Sequence, residues 1–219
     1  MIYPPLRWTG VIVTIMILRR REILGSLLTQ FVLAQSTPKR VIFMLGPPAS
    51  GKTTQSQILK SELGLPAVSM AEVLRREGGG KGGLNKNLRA QIASGDLLSD
   101  EMANSLIRKR ITQKDCERGF ILDGYPFTAK QAEYFEALLA ELGLPRPKVI
   151  HLSITDMAAY QRTQKRGRAD DSPGNAERRI VEYRREAELM LPRYPDAVTV
   201  DATESTSAVA ANIRKGLGY

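Results

Sequence analysis

The chain has 219 residues, 42% of them hydrophobic and 25% charged, which fits one ordinary domain with small additions and excludes a largely disordered protein. One cysteine, Cys116, and one histidine, His151, exclude an internal disulfide, a cysteine-rich zinc site and a two-histidine metalloprotease helix. The net charge of +9 favours an anionic partner. Nucleic acid is not expected, because aromatic residues make up only 6% of the chain and such binding favours basic stripes interleaved with stacking rings.

The first 37 residues have the pattern of a targeting segment. Residues 11–18 are a largely apolar run, too short for the roughly 20 residues that span a bilayer, and three arginines follow it. With Met16 as the start, these arginines and the apolar stretch 23–34 resemble a twin-arginine export signal. A mis-assigned start codon, a transit-type presequence or a helix lying on the domain are alternatives. We therefore treat this segment as a leader or N-terminal extension, and residues 38–219 as the domain, without a stable membrane partner.

A phosphate-binding motif follows the leader. Residues 41–45 are a short apolar run of the kind that is buried on both faces in a parallel sheet. The next residues, 46–53, are GPPASGKT and match the P-loop pattern G-x-x-x-x-G-K-T, with helical apolar spacing after them. Glycines allow backbone N–H groups to curl around phosphate oxygens, Lys52 can bridge the terminal phosphates, and the Thr53 hydroxyl can bind Mg²⁺. The motif predicts binding of a nucleoside triphosphate but does not identify the reaction.

The rest of the chain alternates predicted helices and strands. This order indicates an α/β fold with a parallel sheet and helices on both faces. Strands are predicted at 67–69, 119–122, 149–154 and 197–200, and helices at 54–63, 70–77, 85–94, 99–112, 129–142, 156–166, 175–191 and 205–216.

Three blocks of sequence resemble the nucleoside monophosphate kinases of the adenylate kinase type. The first is the P-loop in the form GPPxSGKxTQ, at residues 46–55. The second is GFILDGYPxTxxQA, at residues 119–132, and the third is RGRADD, at residues 166–171, followed by Arg179 and Tyr183. The blocks occur in the family's order and spacing, and the resemblance covers nearly all of the chain beyond the leader.

This resemblance implies an architecture and a setting. The expected structure is a P-loop kinase core with a small helical acceptor-binding insert at about 69–98 and a short lid at about 166–174. Because the lid has neither a long insertion nor cysteines, no structural metal is expected in it. The resemblance implies a monomeric enzyme, and its use of ATP favours the cytoplasm over export through the N-terminal signal.

The resemblance also implies roles for individual residues. Phosphoryl transfer requires two phosphate chains to be held in line and their charge to be neutralised, and arginine guanidinium groups suit this task because they bind phosphate oxygens in a bidentate fork. The residues implied to bind Mg-ATP are Gly46, Pro47, Ala49, Ser50, Gly51, Lys52, Thr53, Thr54 and Arg162, with Thr53 and Asp123 as the Mg²⁺ ligands. Those implied to be catalytic are Lys52, Arg166, Arg168 and Arg179. Those implied to bind the acceptor or orient the arginines around it are Ser69, Arg75, Leu98, Gly124, Gln131, Asp170 and Asp171.

Two departures from the family pattern lie on the acceptor side. Phe127 stands directly after the proline of the second block, where the family usually has an arginine that grips the acceptor phosphate. Met70 stands where the family has a threonine.

The leading hypothesis is reversible transfer of a phosphoryl group from Mg-ATP to a nucleoside monophosphate, with AMP the expected acceptor. The alternatives are a nucleotide-binding protein of the same fold with weak or lost transferase activity, and a P-loop kinase for a different small phosphate-bearing acceptor.

Overall fold

The computed structural model describes residues 38–79, 98–168 and 171–219, so the predicted helix at 85–94 and Asp170 lie outside the described residues. Within these ranges five strands form one parallel sheet in the order β2-β3-β1-β4-β5, which confirms the predicted α/β fold. The strands are β1 (Arg40–Leu45), β2 (Ala67–Ser69), β3 (Gly119–Asp123), β4 (Lys148–Ser153) and β5 (Val198–Asp201).

Helices connect the strands, and four of those described begin where the local sequence provides a side-chain cap. The side chains of Ser99, Thr128, Thr155 and Ser205 each accept a hydrogen bond from a backbone N–H in the first turn of the helix that follows. No helix in the described ranges is both long and apolar enough to cross a membrane. The helices are α1 (Lys52–Leu63), α2 (Met70–Gly79), α3 (Asp100–Ile111), α4 (Ala129–Glu141), α5 (Asp156–Arg166), α6 (Pro173–Met190) and α7 (Thr206–Leu217).

The sheet is buried on both faces, as the unbroken apolar strands predict. Successive residues of β1 point to opposite sides, so Phe43 packs with Tyr183 of α6, whereas Met44 packs with Leu59 of α1 and Ile213 of α7. Met44, Leu59 and Ile213 are each at most 2% exposed. Helices on both faces leave the carboxyl ends of the strands open, and ligands of α/β proteins bind at this edge.

A close approach of two strands requires glycine at position 119. Gly119 has φ +117°, and a Cβ there would lie 1.8 Å from the Arg40 carbonyl oxygen.

We expect Gly119→Ala to lower the free energy of unfolding, measured by urea denaturation, by about 3 kcal/mol, because it combines backbone strain with a clash against rigid backbone. Gly143→Ala is the matched control, since Gly143 has φ +60° but a Cβ added there would meet no atom within 4 Å. It should cost only about 1 kcal/mol, and equal losses in the two variants would contradict the role of the clash.

Candidate active site

A cleft of about 700 Å³ opens at the carboxyl edge of the sheet. Leu45, Ser69 and Asp123, the last residues of β1, β2 and β3, all line it. Since these three strands are neighbours in the sheet, residues far apart in sequence meet at one place. The fold therefore gathers the segments that follow β1, β2 and β3 around a single cavity.

The loop between β1 and α1 has the backbone form of an anion cradle. Ala49 and Gly51 adopt left-handed conformations, with φ 59° and φ 100°, so the chain curls before α1 begins. Gly51 is the N-cap of α1 and provides no side-chain hydrogen bond to the first turn. The buried Ser50 Oγ has no hydrogen-bond partner among the described residues. Unsatisfied N–H groups at a helix N-terminus and an unpaired hydroxyl both suit phosphate oxygens, so the loop fits the triphosphate that its sequence predicts.

Lys52 folds back onto this loop. Its Nζ donates hydrogen bonds to the carbonyl oxygens of Gly46, at 2.7 Å, and Pro47, at 2.8 Å. Burial lowers the pKa of Lys52 to about 8; the Asp123 carboxylate opposes this shift, and the positive charge of Arg179 adds to it. A phosphate anion in the loop would place further negative charge beside this part-buried ammonium group.

Thr53 and Asp123 form an oxygen-rich pair beside the loop. The Thr53 Oγ1 donates to Asp123 Oδ2 at 2.6 Å, and Asp123 is only 5% exposed. Hydroxyl and carboxylate oxygens are ligands that Mg²⁺ prefers, and Mg²⁺ commonly takes one or two protein ligands together with phosphate oxygens and water. This donor set fits a magnesium ion. The described residues contain no group of three or more His, Cys, Asp or Glu that could hold a metal by themselves.

Three arginines meet at the buried carboxylate of Asp171. Arg166, at the end of α5, donates through Nε at 2.9 Å and Nη2 at 2.6 Å, and the backbone N–H of Arg168 donates at 3.0 Å. Arg179, on α6, forms an ion pair at 3.7 Å with the same carboxylate, which is 1% exposed. Burial alone raises the pKa of Asp171, but the hydrogen bonds from Arg166 and Arg168 and the two guanidinium charges outweigh it, and the pKa lies below its ordinary value. One acid thus joins the end of α5 to the second turn of α6 and orients the guanidinium groups of Arg166 and Arg179.

The other predicted site residues lie in the same cleft, with few exceptions. Arg162, one turn before Arg166 on α5, donates to the Ala202 carbonyl oxygen at 2.7 Å. Pro47 and Ser50 belong to the loop without lining the cleft, and Asp171 lies behind the arginines. The predicted residues that line the cleft are Gly46, Ala49, Gly51, Lys52, Thr53, Thr54, Ser69, Arg75, Leu98, Asp123, Gly124, Gln131, Arg162, Arg166, Arg168 and Arg179.

Sequence reasoning missed several contacts on the acceptor side. Gln131 donates from Nε2 to Asp100 Oδ1 at 2.9 Å, although the sequence motifs did not include Asp100. The side chain of Phe127 packs against the apolar cluster that contains Met190, and both residues line the cleft. The Thr128 cap was detectable from its place before a helical pattern, but a contact between α3 and α4 has no local sequence signal.

The curled loop and the arginines beside it put the protein among the P-loop proteins that handle nucleotide phosphates. Comparison with known proteins narrows this class, since the adenylate kinase family model matches residues 44–198. The chain is 38% identical over 163 residues to the adenylate kinase of Chelativorans sp. strain BNC1, covering 70% of this chain and 84% of that protein. It is 36% identical over 189 residues to that of Rhizobium meliloti strain 1021, covering 80% of this chain and 98% of that protein. The chain belongs to the adenylate kinase family, as its motifs predicted.

Removing the charge of Asp171 should destabilise the protein. Asp171→Asn leaves Arg166 and Arg179 without their shared anion, and we expect the free energy of unfolding at pH 7 to fall by about 2 kcal/mol. Because the native pKa of Asp171 is lowered, its contribution is complete above the ordinary carboxyl pKa of about 4 and is lost as the pH falls below it. The difference from the native protein in urea denaturation should therefore shrink between pH 5 and pH 3.

Asp196→Asn is the control for this measurement. Asp196 pairs with Lys148 at 3.5 Å, and the two side chains are 62% and 66% exposed. An ion pair this exposed should contribute less than about 0.5 kcal/mol. A loss for Asp171→Asn no larger than that of the control would contradict the stabilising role of the buried carboxylate.

Proposed function

We propose that the protein transfers a phosphoryl group reversibly between Mg-ATP and AMP, in the reaction ATP + AMP ⇌ 2 ADP. One observation carries the proposal: the phosphate loop, the arginines and the acceptor-side residues line a single cleft in a member of the adenylate kinase family. Family membership does not favour the alternatives of a nucleotide-binding protein without activity or a kinase for another acceptor.

The reaction needs positioning and charge neutralisation more than covalent chemistry. An oxygen of the AMP phosphate attacks the γ-phosphorus, the bond to the β–γ bridging oxygen breaks, and that oxygen leaves with ADP. The attacking oxygen is already an anion, so no general base is required. We assign Lys52 to the β- and γ-phosphates and Arg166, Arg168 and Arg179 to the transferring group. In this assignment Lys52 exchanges the Gly46 and Pro47 carbonyls for phosphate oxygens.

Magnesium has a defined place in this proposal. We assign Thr53 and Asp123 to hold the ion, with Asp123 acting through water. When bound, the ion neutralises the charge of the phosphate oxygens. The 2.6 Å hydrogen bond between these two side chains keeps their oxygens together at the end of β3 and the start of α1.

We assign the remaining residues to the two nucleotides. Arg162 and the loop residues contact ATP, and Ser69, Arg75, Leu98, Gly124 and Gln131 contact AMP. In this proposal the lid at about 166–174 closes over both nucleotides. The end of α5 at Arg166 and the start of α6 at Pro173 flank this segment. We further propose that residues 38–219 act as a cytoplasmic monomer with an acceptor-binding insert at about 69–98. Export through residues 1–37 is the alternative, and N-terminal sequencing of protein expressed in its natural cell separates the two.

Turnover of Mg-ATP against a panel of nucleoside monophosphates tests the proposed reaction. We expect clear ADP production with AMP in a coupled assay. Lys52→Ala should lower kcat/KM by at least about a hundredfold without unfolding the protein, because it removes a charge that stabilises the transferring phosphates.

Lys60→Ala is the control, since Lys60 lies on the same helix and is exposed. It should leave turnover unchanged. A folded native protein that produces no nucleoside diphosphate from AMP, UMP, CMP, GMP or dTMP would refute the proposed function.

Phe127 gives a second test on the acceptor side. Phe127→Arg should raise kcat/KM for AMP by about tenfold, because a guanidinium group in the cleft can form a bidentate contact with the AMP phosphate. Phe127→Met keeps an apolar side chain against the neighbouring cluster and should leave kcat/KM close to the native value. A folded Phe127→Arg variant without any gain would show that another group already supplies this charge or that AMP is not the acceptor.

A further inference from the structure

The side-chain amide of Gln131 is fixed in one orientation. Gln131 is 4% exposed, its Oε1 accepts a hydrogen bond from the Phe127 backbone N–H at 2.7 Å, and its Nε2 donates to Asp100 Oδ1 at 2.9 Å. A backbone N–H can only donate, and an ionised carboxylate can only accept. The two partners therefore determine which end of the amide is oxygen and which is nitrogen.

Asp100 is itself held in place by the start of two helices. Its Oδ1 also accepts a hydrogen bond from Thr128 Oγ1 at 2.9 Å, and Thr128 Oγ1 caps α4 by accepting from the Gln131 backbone N–H at 3.1 Å. Asp100 lies in the first turn of α3, where the helix dipole favours a negative charge. The carboxylate thus links α3 to α4 and faces the amide as a fixed acceptor.

These contacts limit what the amide can offer a ligand. An amide has two N–H groups and two oxygen lone pairs, so Gln131 keeps one donor and one acceptor in a fixed order. A purine with a 6-amino group beside an unprotonated N1 is complementary to that order. A purine with a 6-oxo group beside an N1–H presents the reverse order, and the amide would have to turn over to match it.

Turning the amide over would break both buried contacts. The NH₂ group would then face the Phe127 N–H, donor against donor, and the oxygen would face the Asp100 carboxylate, acceptor against acceptor. Buried donors and acceptors without partners are strongly unfavourable. The arrangement therefore disfavours binding of 6-oxopurines and also favours binding of 6-aminopurines. Specificity commonly requires both a favourable contact with the right ligand and an unfavourable one with the wrong ligand.

We propose that Asp100 is a positioning residue that locks the Gln131 amide and thereby selects 6-amino over 6-oxo purine monophosphates as acceptors. The inference rests on the proposed function, in which Gln131 contacts the acceptor base. Asp100 acts through Gln131 and touches no substrate. The Phe127 backbone N–H provides the second contact that fixes the Gln131 amide, and this contact does not depend on the side chain at position 127.

The test compares AMP with IMP, which carries the 6-oxo group and an N1–H. Asp100→Asn is the informative variant, because an Asn side chain of the same shape can present either its oxygen or its NH₂ group to Gln131. We expect the native protein to prefer AMP by at least about a hundredfold in kcat/KM. In Asp100→Asn this ratio should fall by at least about tenfold, with the KM for ATP unchanged.

Two further variants separate positioning from a general structural effect. Glu101→Gln removes the neighbouring charge in the same first turn of α3, at an exposed position, and should keep the native AMP-to-IMP ratio. Gln131→Ala should abolish the preference, and adding Asp100→Asn to it should change the ratio no further. Calorimetric titration of AMP and IMP onto each variant gives the same comparison without turnover.

The outcomes are distinct. A folded Asp100→Asn variant with the native ratio, or one that loses AMP and IMP turnover equally, would overturn the assignment of Asp100 while leaving the proposed function intact. A native protein that neither binds nor phosphorylates any nucleoside monophosphate would overturn the proposed function, and this inference with it.

Discussion

Concentration of positive charge is the constraint on which this cleft depends. Phosphate chains require several cations close together, but such cations repel one another when no phosphate is present. Asp171 meets this constraint with a carboxylate that is almost out of contact with water and holds Arg166 in a bidentate pair and Arg179 in an ion pair. Lys52 meets it through backbone carbonyls. Arg166 and Arg179 are thus oriented before a nucleotide arrives, which lowers the entropic cost of binding.

The sheet gives these groups a rigid support. Strands buried on both faces leave little freedom for β1 and β3 to move, so Thr53 and Asp123 are brought together by the core and not by flexible loops. Arg166 ends α5 beside Gly167, and Arg179 lies in the second turn of α6. The structure therefore holds the phosphate-loop side of the cleft through the sheet, and the side with Arg166 and Arg179 through the buried Asp171 carboxylate.

Local signals in the sequence were sufficient for most of the described fold, and they predicted the phosphate loop. The loop at 46–53 follows an apolar strand, and among the predicted elements that the structure describes the bounds agree to within two residues at each end. Contacts that depend on how helices and loops pack could not be predicted from the sequence. Arg162 donates to the backbone carbonyl of Ala202, and a backbone carbonyl has no side-chain identity that a sequence pattern could reveal. Asp100 contacts Gln131, 31 positions away in sequence, because α3 packs beside α4.

The hydrogen bonds of Lys52 also bear on competition among small anions. In the proposed assignment a phosphate chain takes Lys52 from the Gly46 and Pro47 carbonyls, so these two bonds set a threshold that a ligand must exceed to gain Lys52 as a partner. A polyphosphate chain offers several charged oxygens and exceeds that threshold. Chloride, bicarbonate and single orthophosphate ions offer much less. Simple anions are therefore less able than a polyphosphate chain to draw Lys52 away from the carbonyls of its own loop.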